Sequence, residues 1–339
     1  MHLLKALFAL TAATALTACG GGGDASSPAP VPAPGPAVAS NGTLQAGVSA
    51  ATYADARRVD AFNQLNAVRL GAGAGLLAQS AALDASASDH ASYLSQNGFG
   101  SADSAHDETA GLPGFTDTNP FLRMKDQGYN YSYATEVIGD IGSASATSDC
   151  VGDLLDTVYH AASMLSRVTD VGFGFGSGSA AGMCTIDMAS PLTGGAARQI
   201  PPSGAVVAYP YDGSTVAHGV FHVSAESPRV STTLLPAANA GTPILVGFRN
   251  QDVVAGGAVT ITRFSIAAAD GTTVPAVIIA APGIAGTGVN TDAELDSDFA
   301  VLVPTSPLPA GTYRVTLQAA ISGGQALNLT GWSFSVASL

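Results

Sequence analysis

His106-Asp107-Glu108, Gly128-Tyr129, Glu136-Val137-Ile138 and Tyr159-His160 mark the stretch on which the reading of this chain turns. Two of the six histidines bracket it, and it holds the densest set of imidazole and carboxylate groups in the sequence. A carboxylate inside a short apolar strand, as Glu136 is between Thr135 and Val137, is costly unless it faces solvent or meets partners in a cavity. His106, Glu136 and His160 together admit three chemistries. Two neutral imidazoles and one carboxylate can hold Zn²⁺ or another divalent cation and leave a position open. The same trio can move protons near neutral pH. It can also be a buried polar network that locks a sheet to a helix.

Working outward, Asp55 to Arg69 carries Val59, Phe62, Leu65 and Val68 at helical spacing, with Gly71, Gly73 and Gly75 as its stop. Gln79 to Gln96 repeats the pattern with Leu83, Ala87, Ala91 and Leu94 on one face, closed by Asn97-Gly98. His90, beside that face, reads as a packed, hydrogen-bonded residue. Asn119-Pro120 is a cap followed by Pro in the first turn, so a short helix starts there. Tyr133 to Ile138 reads as a strand. Asp149 to about Leu165 reads as one helix, on which Asp153, Thr157 and His160 share a face. Val171 to Gly176 and Cys184 to Met188 read as paired strands, Gly-rich because backbone approaches closely or the strands coil tightly. The order is α+β.

These residues resemble the CAP superfamily of cysteine-rich secretory proteins, antigen 5 and pathogenesis-related 1 proteins, in its bacterial secreted branch. The resemblance rests on an ordered series: Asn66-x-x-Arg69 and Leu76-Leu77; Leu83 through Ala91-x-Tyr93-Leu94; Asn97-Gly98; His106-Asp107-Glu108 with Gly111-x-Pro113-Gly114-Phe115-Thr116; Arg123; Gly128-Tyr129; Glu136-Val137-Ile138; Tyr159-His160 with Leu165; and Gly172-x-Gly174. It implies a three-layer α-β-α sandwich around an antiparallel sheet, with a cleft of two His and two acidic residues. His106 matches the first His, Glu136 the strand Glu and His160 the second His. Thr157 stands where this branch often has the second acidic residue. The family's links to sterol, lipid and metal binding imply a ligand cleft at His106, Glu136, Thr157 and His160. No Ser or Cys has nucleophile context, so a hydrolase would have to use the trio or its metal.

The first residues read as an export signal. Lys5 precedes an apolar run from Ala6 to Leu16, too short to span a bilayer. Leu16-Thr17-Ala18-Cys19 resembles the bacterial lipobox, which implies acylation of Cys19 and anchoring in the cell envelope. Gly20 in place of Asp implies the outer membrane where one exists, with the protein periplasmic or surface-facing. Gly20 to Gly23 and the Pro-rich run from Pro28 to Pro36 make a tether. The remaining cysteines, Cys150 and Cys184, form a disulfide by default in an oxidising compartment. Net charge is −13, and no Lys/Arg cluster exists, which excludes nucleic acid as a partner. An anionic membrane surface would repel the chain, so its membrane tie is the lipid on Cys19.

After Pro201-Pro202-Ser203-Gly204 the pattern changes to short strands with Gly/Pro turns, which is sandwich spacing. Pro309-Ala310-Gly311-Thr312-Tyr313-x-Val315 and Trp332-Ser333-Phe334 resemble the last strands of bacterial Ig-like domains. Tyr209-Pro210-Tyr211-Asp212-Gly213 reads as a turn, with a carbohydrate-binding patch as the alternative. Asp292, Glu294, Asp296 and Asp298 read as a charged edge or solvated loop, with calcium as the alternative. His218 and His222 receive no role. The expected layout is residues 1–19 signal, 20–51 tether, 52–191 CAP domain, 192–204 linker and 205–339 an all-β Ig-like sandwich. The leading functional reading is an exported, lipid-anchored protein that binds a small apolar or lipid ligand, with a divalent metal at His106, Glu136 and His160 as a further occupant of the cleft, and it leaves enzyme activity open. A His/Glu-dependent envelope hydrolase and a structural or adhesive surface protein are the alternatives.

Overall fold

The computed structural model describes residues 6–7, 43–99, 104–140, 149–176, 183–193, 198–202, 204–224, 226–249, 259–296, 298–321 and 324–338. Cys19 and the Pro-rich run therefore lie outside the described residues, as does the turn between the paired strands near residue 180.

The α/β unit follows the order β1 (Ala6–Leu7), α1 (Ala56–Ala72), β2 (Ala78–Gln79), α2 (Ala81–Asn97), α3 (Pro120–Asp126), β3 (Tyr131–Asp140), α4 (Cys150–Leu155), α5 (Tyr159–Met164), β4 (Asp170–Phe175) and β5 (Met183–Pro191). Helix starts fall where the capping residues are. Asp55 accepts from the Arg57 amide, Ser80 from Leu83, and Asn119 from Phe121 and Leu122. Gly73 closes α1 in the left-handed region at φ 78°. The sheet runs β1-β3-β5-β4-β2, with β3, β5 and β4 antiparallel.

Alternation along the strands sorts their side chains between two helical layers. Tyr133, Val137, Phe173, Ile186 and Met188 share a core with α1, α4 and α5. Ala134, Ile138, Met183 and Ala189 pack with α2 and α3. Gly172 and Gly174 face α2 so closely that a Cβ would lie 2.1 Å from the Leu83 carbonyl carbon and 2.0 Å from the Ala87 carbonyl oxygen. Close backbone approach is therefore the reason for Gly172-x-Gly174. The Asn66-x-x-Arg69 pair clamps backbone. Asn66 exchanges two hydrogen bonds with Leu77, and the buried Arg69 guanidinium donates to the carbonyls of Gly75, Ala74, Met164 and Ser166. Cys150 and Cys184 are bonded, joining α4 to β5 with Cα atoms 6.4 Å apart.

The expected single helix from Asp149 to Leu165 is two helices with a break at Asp156 to Val158. Thr157 folds its hydroxyl back onto the Leu154 carbonyl at 2.7 Å. The amides of Val158 and Tyr159 turn to the Glu226 carboxylate of the second unit, at 3.0 and 2.5 Å, and His160 N–H lies 3.3 Å from it. Amides that a continuous helix would spend on its own carbonyls are satisfied from outside instead.

The β unit contains β6 (Val207–Tyr209), β7 (Thr215–Val216), β8 (Phe221–His222), β9 (Asn239–Ala240), β10 (Ile244–Gly247) and β11 (Val259–Ala268). Then come β12 (Thr273–Val274), β13 (Ala276–Ala280), β14 (Ile284–Gly286), β15 (Val289–Thr291), β16 (Phe299–Pro304), β17 (Gly311–Ile321) and β18 (Gln325–Val336). One sheet runs β15-β13-β16-β10-β6, and the other runs β12-β11-β17-β18-β7 with β14 beside β11. The expected turn after the first strand is present. Asp212 accepts from the Ser333 amide, and Trp332 Nε1 donates to the Pro210 carbonyl. Tyr211 packs over Gly71 of α1.

The connection between the units folds back on the α/β unit. Gln199 donates to the Leu76 and Val168 carbonyls and accepts from the Gln45 amide, and Ile200 pairs with Thr43. The acidic alternation is neither a strand edge nor a solvated loop. Asp292 accepts from Tyr159, Asp296 from Tyr133 and Asp298 from Arg167, all on the α/β unit. Asp296 and Asp298 are buried. The two units therefore share a polar seam laid beside a continuous apolar core.

Candidate functional site

The structure brings His106 and Glu136 together and holds His160 elsewhere. Glu136 projects from β3 toward α2 and α3. Its Oε1 meets His106 Nδ1 at 2.9 Å, and the Arg123 guanidinium donates to both oxygens at 3.1 and 2.8 Å. Arg123 also donates to the His106 carbonyl. His90 lies in the same layer, with Nδ1 at 2.9 Å from Glu108 and Nε2 donating to the Ala105 carbonyl. Glu108 accepts from Thr116. Burial opposes charge on Glu136, but Arg123 and the neighbouring imidazoles outweigh it and hold its carboxyl below the usual range. Asp187, directly across on β5, goes the other way. Burial and the nearby Glu136 push it well above the ordinary carboxylate range.

This is a filled polar core. Both oxygens of Glu136 are committed to a guanidinium, which competes directly with a cation for them. Among the described residues no three His, Cys, Asp or Glu side chains are grouped to hold a metal ion. His106, Glu136 and His160 form no such group, because Arg123 and His106 occupy the Glu136 oxygens and His160 has Thr157 and Glu226 as its neighbours instead.

His160 lies in a second setting. Its Nδ1 is 3.1 Å from Thr157 Oγ1 and 3.4 Å from Glu226 Oε1. The Thr157 hydroxyl proton is directed at Leu154, so Thr157 offers His160 a lone pair and Nδ1 carries the ring proton. Nε2 is then the acceptor and has no protein partner among the described residues. The ring is buried but lines a cavity of about 740 Å³ at the seam. Asp153, Asp156 and Thr157 reach that cavity from one unit, and His218 and His222 from the other. Ile138, Leu154, Val220, Leu308 and Val336 supply apolar wall. Its volume falls in the range of small-molecule sites.

A smaller cavity of about 190 Å³ shares Asp153, Asp156 and His218 with it and is bounded by Tyr209 and Tyr211. Burial pushes the Asp156 carboxyl up to about 8, and Asp153 and Asp149 add to the rise. At neutral pH the larger cavity therefore has a neutral acid on its lining.

Sequence reasoning found His160 and Thr157 and missed Glu226. Nothing around Glu226 in the sequence marks it, because its role depends on docking of the two units. His218 and His222 were visible only as an unexplained pair.

The cysteine-rich secretory protein family model, CAP, matches residues 62–188. No curated protein sequence matches the chain. Two solved structures of PcoC, a methionine-rich copper resistance protein from Escherichia coli, are similar to part of it. One, at 20% identity, covers 38% of this chain and 93% of PcoC with a TM-score of 0.23. The selenomethionine form, at 19% identity, covers 38% and 95% with the same score. Scores that low carry no argument about fold or function. The ordered motifs and the α/β sandwich agree with that match, so the segment from 62 to 188 is similar to the CAP domain of the cysteine-rich secretory protein family.

Proposed function

We propose that this is a binding protein in which the CAP domain and the β unit together enclose a small, mainly apolar ligand, with His160 at the polar end of the pocket. The observation that carries the reading is the seam cavity of about 740 Å³, which has apolar walls and is lined by the largely buried His160 imidazole, whose Nε2 has no protein partner among the described residues. The absence of a nucleophile motif supports binding over covalent turnover. The β unit is of Ig-like type in this reading, supported by its two sheets and short strands. Export and lipid attachment at Cys19 complete it, supported by the lipobox-like Leu16-Thr17-Ala18-Cys19 and by the Cys150–Cys184 disulfide. Acylation of Cys19 would place the cavity in the cell envelope.

Organic extraction of natively purified protein, followed by mass spectrometry, tests the binding claim. One apolar species near stoichiometric amount is expected, and Ala310→Trp, which fills the cavity mouth, removes it. Identical extracts from wild type and variant would sink the claim. A second reading, hydrolysis by water activated at His160 Nε2, is favoured by that same lone pair. It requires turnover of an ester or peptide panel that His160→Ala abolishes.

A further inference from the structure

The smaller seam cavity, of about 190 Å³, gathers carboxylates from one helix. Asp149, Asp153 and Asp156 recur along α4 and its caps at i, i+4 and i+7, so they share a face, and all three line the cavity. Asp149 has partners: it accepts from the Gly152 amide at 3.0 Å and from the Gln64 side chain. Asp156 has none. Burial acts on it first, then Asp153 and Asp149, and no hydrogen bond or cation offsets them. Asp153 feels burial and Asp149, with only His218 against them. No Lys or Arg lines the cavity.

The rest of the lining narrows what could answer that charge. Ser214, from the β unit, is 9% exposed and lines the cavity, and its buried hydroxyl has no hydrogen-bond partner among the described residues. A buried hydroxyl left without a partner is costly unless something beside it supplies one. Tyr209 and Tyr211 add aromatic wall, of the kind that attracts cations. Val68, Leu155 and Val216 add apolar surface. Among the described residues no three side chains are grouped to hold a metal ion, which leaves an organic cation. A primary ammonium carries three donors, enough for a carboxylate and a hydroxyl at once, whereas a quaternary one carries none.

We propose that this cavity binds a primary ammonium group on a short alkyl stem, the ammonium donating to Asp156 and Ser214 and the stem lying against Val68, Leu155 and Val216. The site needs both units, since Asp156 comes from one and Ser214 from the other. It does not depend on the apolar ligand of the larger cavity. Binding is coupled to a proton. Asp156 holds its proton up to about pH 8, so the incoming ammonium displaces that proton to solvent, and affinity rises as pH rises through that value. The other titratable groups around the cavity are Asp149, Asp153, Tyr209, Tyr211 and His218.

The test is titration of the full chain with n-butylammonium chloride at pH 7 and pH 9, followed by calorimetry and ligand-observed NMR. Two further probes are n-butanol, which has the stem without the charge, and tetramethylammonium chloride, which has the charge without donors. Wild type is expected to bind butylammonium saturably, about tenfold tighter at pH 9 than at pH 7, and to bind both other probes at least about tenfold more weakly. Asp156→Asn keeps the shape and should bind about tenfold more weakly at pH 9, with the pH dependence gone. Ser214→Ala should weaken binding at both pH values. Failure of wild type to bind butylammonium at either pH overturns the proposal. Equal binding of n-butanol or of tetramethylammonium does so too, because charge or donors would then play no part. These wild-type arms decide the matter even if a variant does not fold. A folded Asp156→Asn protein with wild-type affinity and pH dependence also overturns it.

Discussion

The hydroxyl of Tyr159 donates to Asp292 at 2.6 Å, so the residue preceding the cavity histidine is tied to a loop of the other unit. Burial, with Asp292 alongside, pushes the Tyr159 phenol above its ordinary range, so the hydroxyl stays a donor at all physiological pH. Tyr133 with Asp296 and Arg167 with Asp298 repeat the arrangement along the seam.

Tyr159→Phe removes the donor and leaves Asp292 without this partner. The expected loss is about 1–3 kcal/mol, the range for hydrogen bonds to charged groups. Because the seam joins one core, urea unfolding followed by fluorescence and by circular dichroism should give one coincident transition in wild type. Two resolved transitions in wild type would mean that the units do not stabilise each other.

Asp156 gives the seam a pH dependence with a definite sign. Its folded-state pKa is raised to about 8 from the ordinary value of 3.8. Between those values the folded protein keeps a proton that the unfolded chain releases. Stability therefore falls as pH rises through that window, by at most about 1.4 kcal/mol per pH unit for one proton. Asp156→Asn removes this term. Denaturant midpoints at pH 5 and pH 8 should converge in the variant relative to wild type, and an equal drop in both proteins would contradict the assignment.

The polar layer beneath α2 and α3 should behave as structure. Arg123→Ala strands Glu136 and Glu108 and is expected to cost about 3–5 kcal/mol. Glu136, held low, contributes stability that is present above its unfolded-state pKa and lost as pH falls toward strong acid. Elemental analysis of native protein should return zinc well below one equivalent, unchanged in His106→Ala. Stoichiometric zinc that is lost in that variant would restore the three-residue metal centre.

Gly174→Ala places a methyl group 2.0 Å from the Ala87 carbonyl oxygen, between two backbones that cannot yield. A loss of about 3 kcal/mol or more is expected, at the upper end of overpacking effects. The same change at Gly128, where no atom lies within 4 Å of the added Cβ, meets no clash and strains only a left-handed backbone at φ 86°. Thermal melts of the two variants separate crowding from conformational strain.

Much of the fold was legible because it is local. Asp55, Ser80 and Asn119 cap helices by contacts within three residues, and of the two readings open for Gly172-x-Gly174, close approach and tight coiling, the structure shows close approach. Cys150 and Cys184 pair as their number and setting suggested. The site was legible in half. The His106–Glu136 contact follows from two motifs of one domain, whereas His160 takes its partner from Glu226, 66 residues away and in the other unit. The helix break at Thr157 was hidden for the same reason, since periodicity is blind to a carboxylate that arrives from elsewhere. The acids from Asp292 to Asp298 read as solvated because the tyrosines and arginine they meet are far upstream.

The most direct measurement is a dehydroergosterol titration of four proteins: wild type, Ala310→Trp, His160→Ala and His106→Ala. Saturable one-to-one binding is predicted for wild type and for any folded His106→Ala. Binding should be abolished by Ala310→Trp and weakened about tenfold or more by His160→Ala. Equal binding by wild type, Ala310→Trp and His160→Ala, or loss confined to His106→Ala, would place the ligand outside the seam cavity and contradict the account.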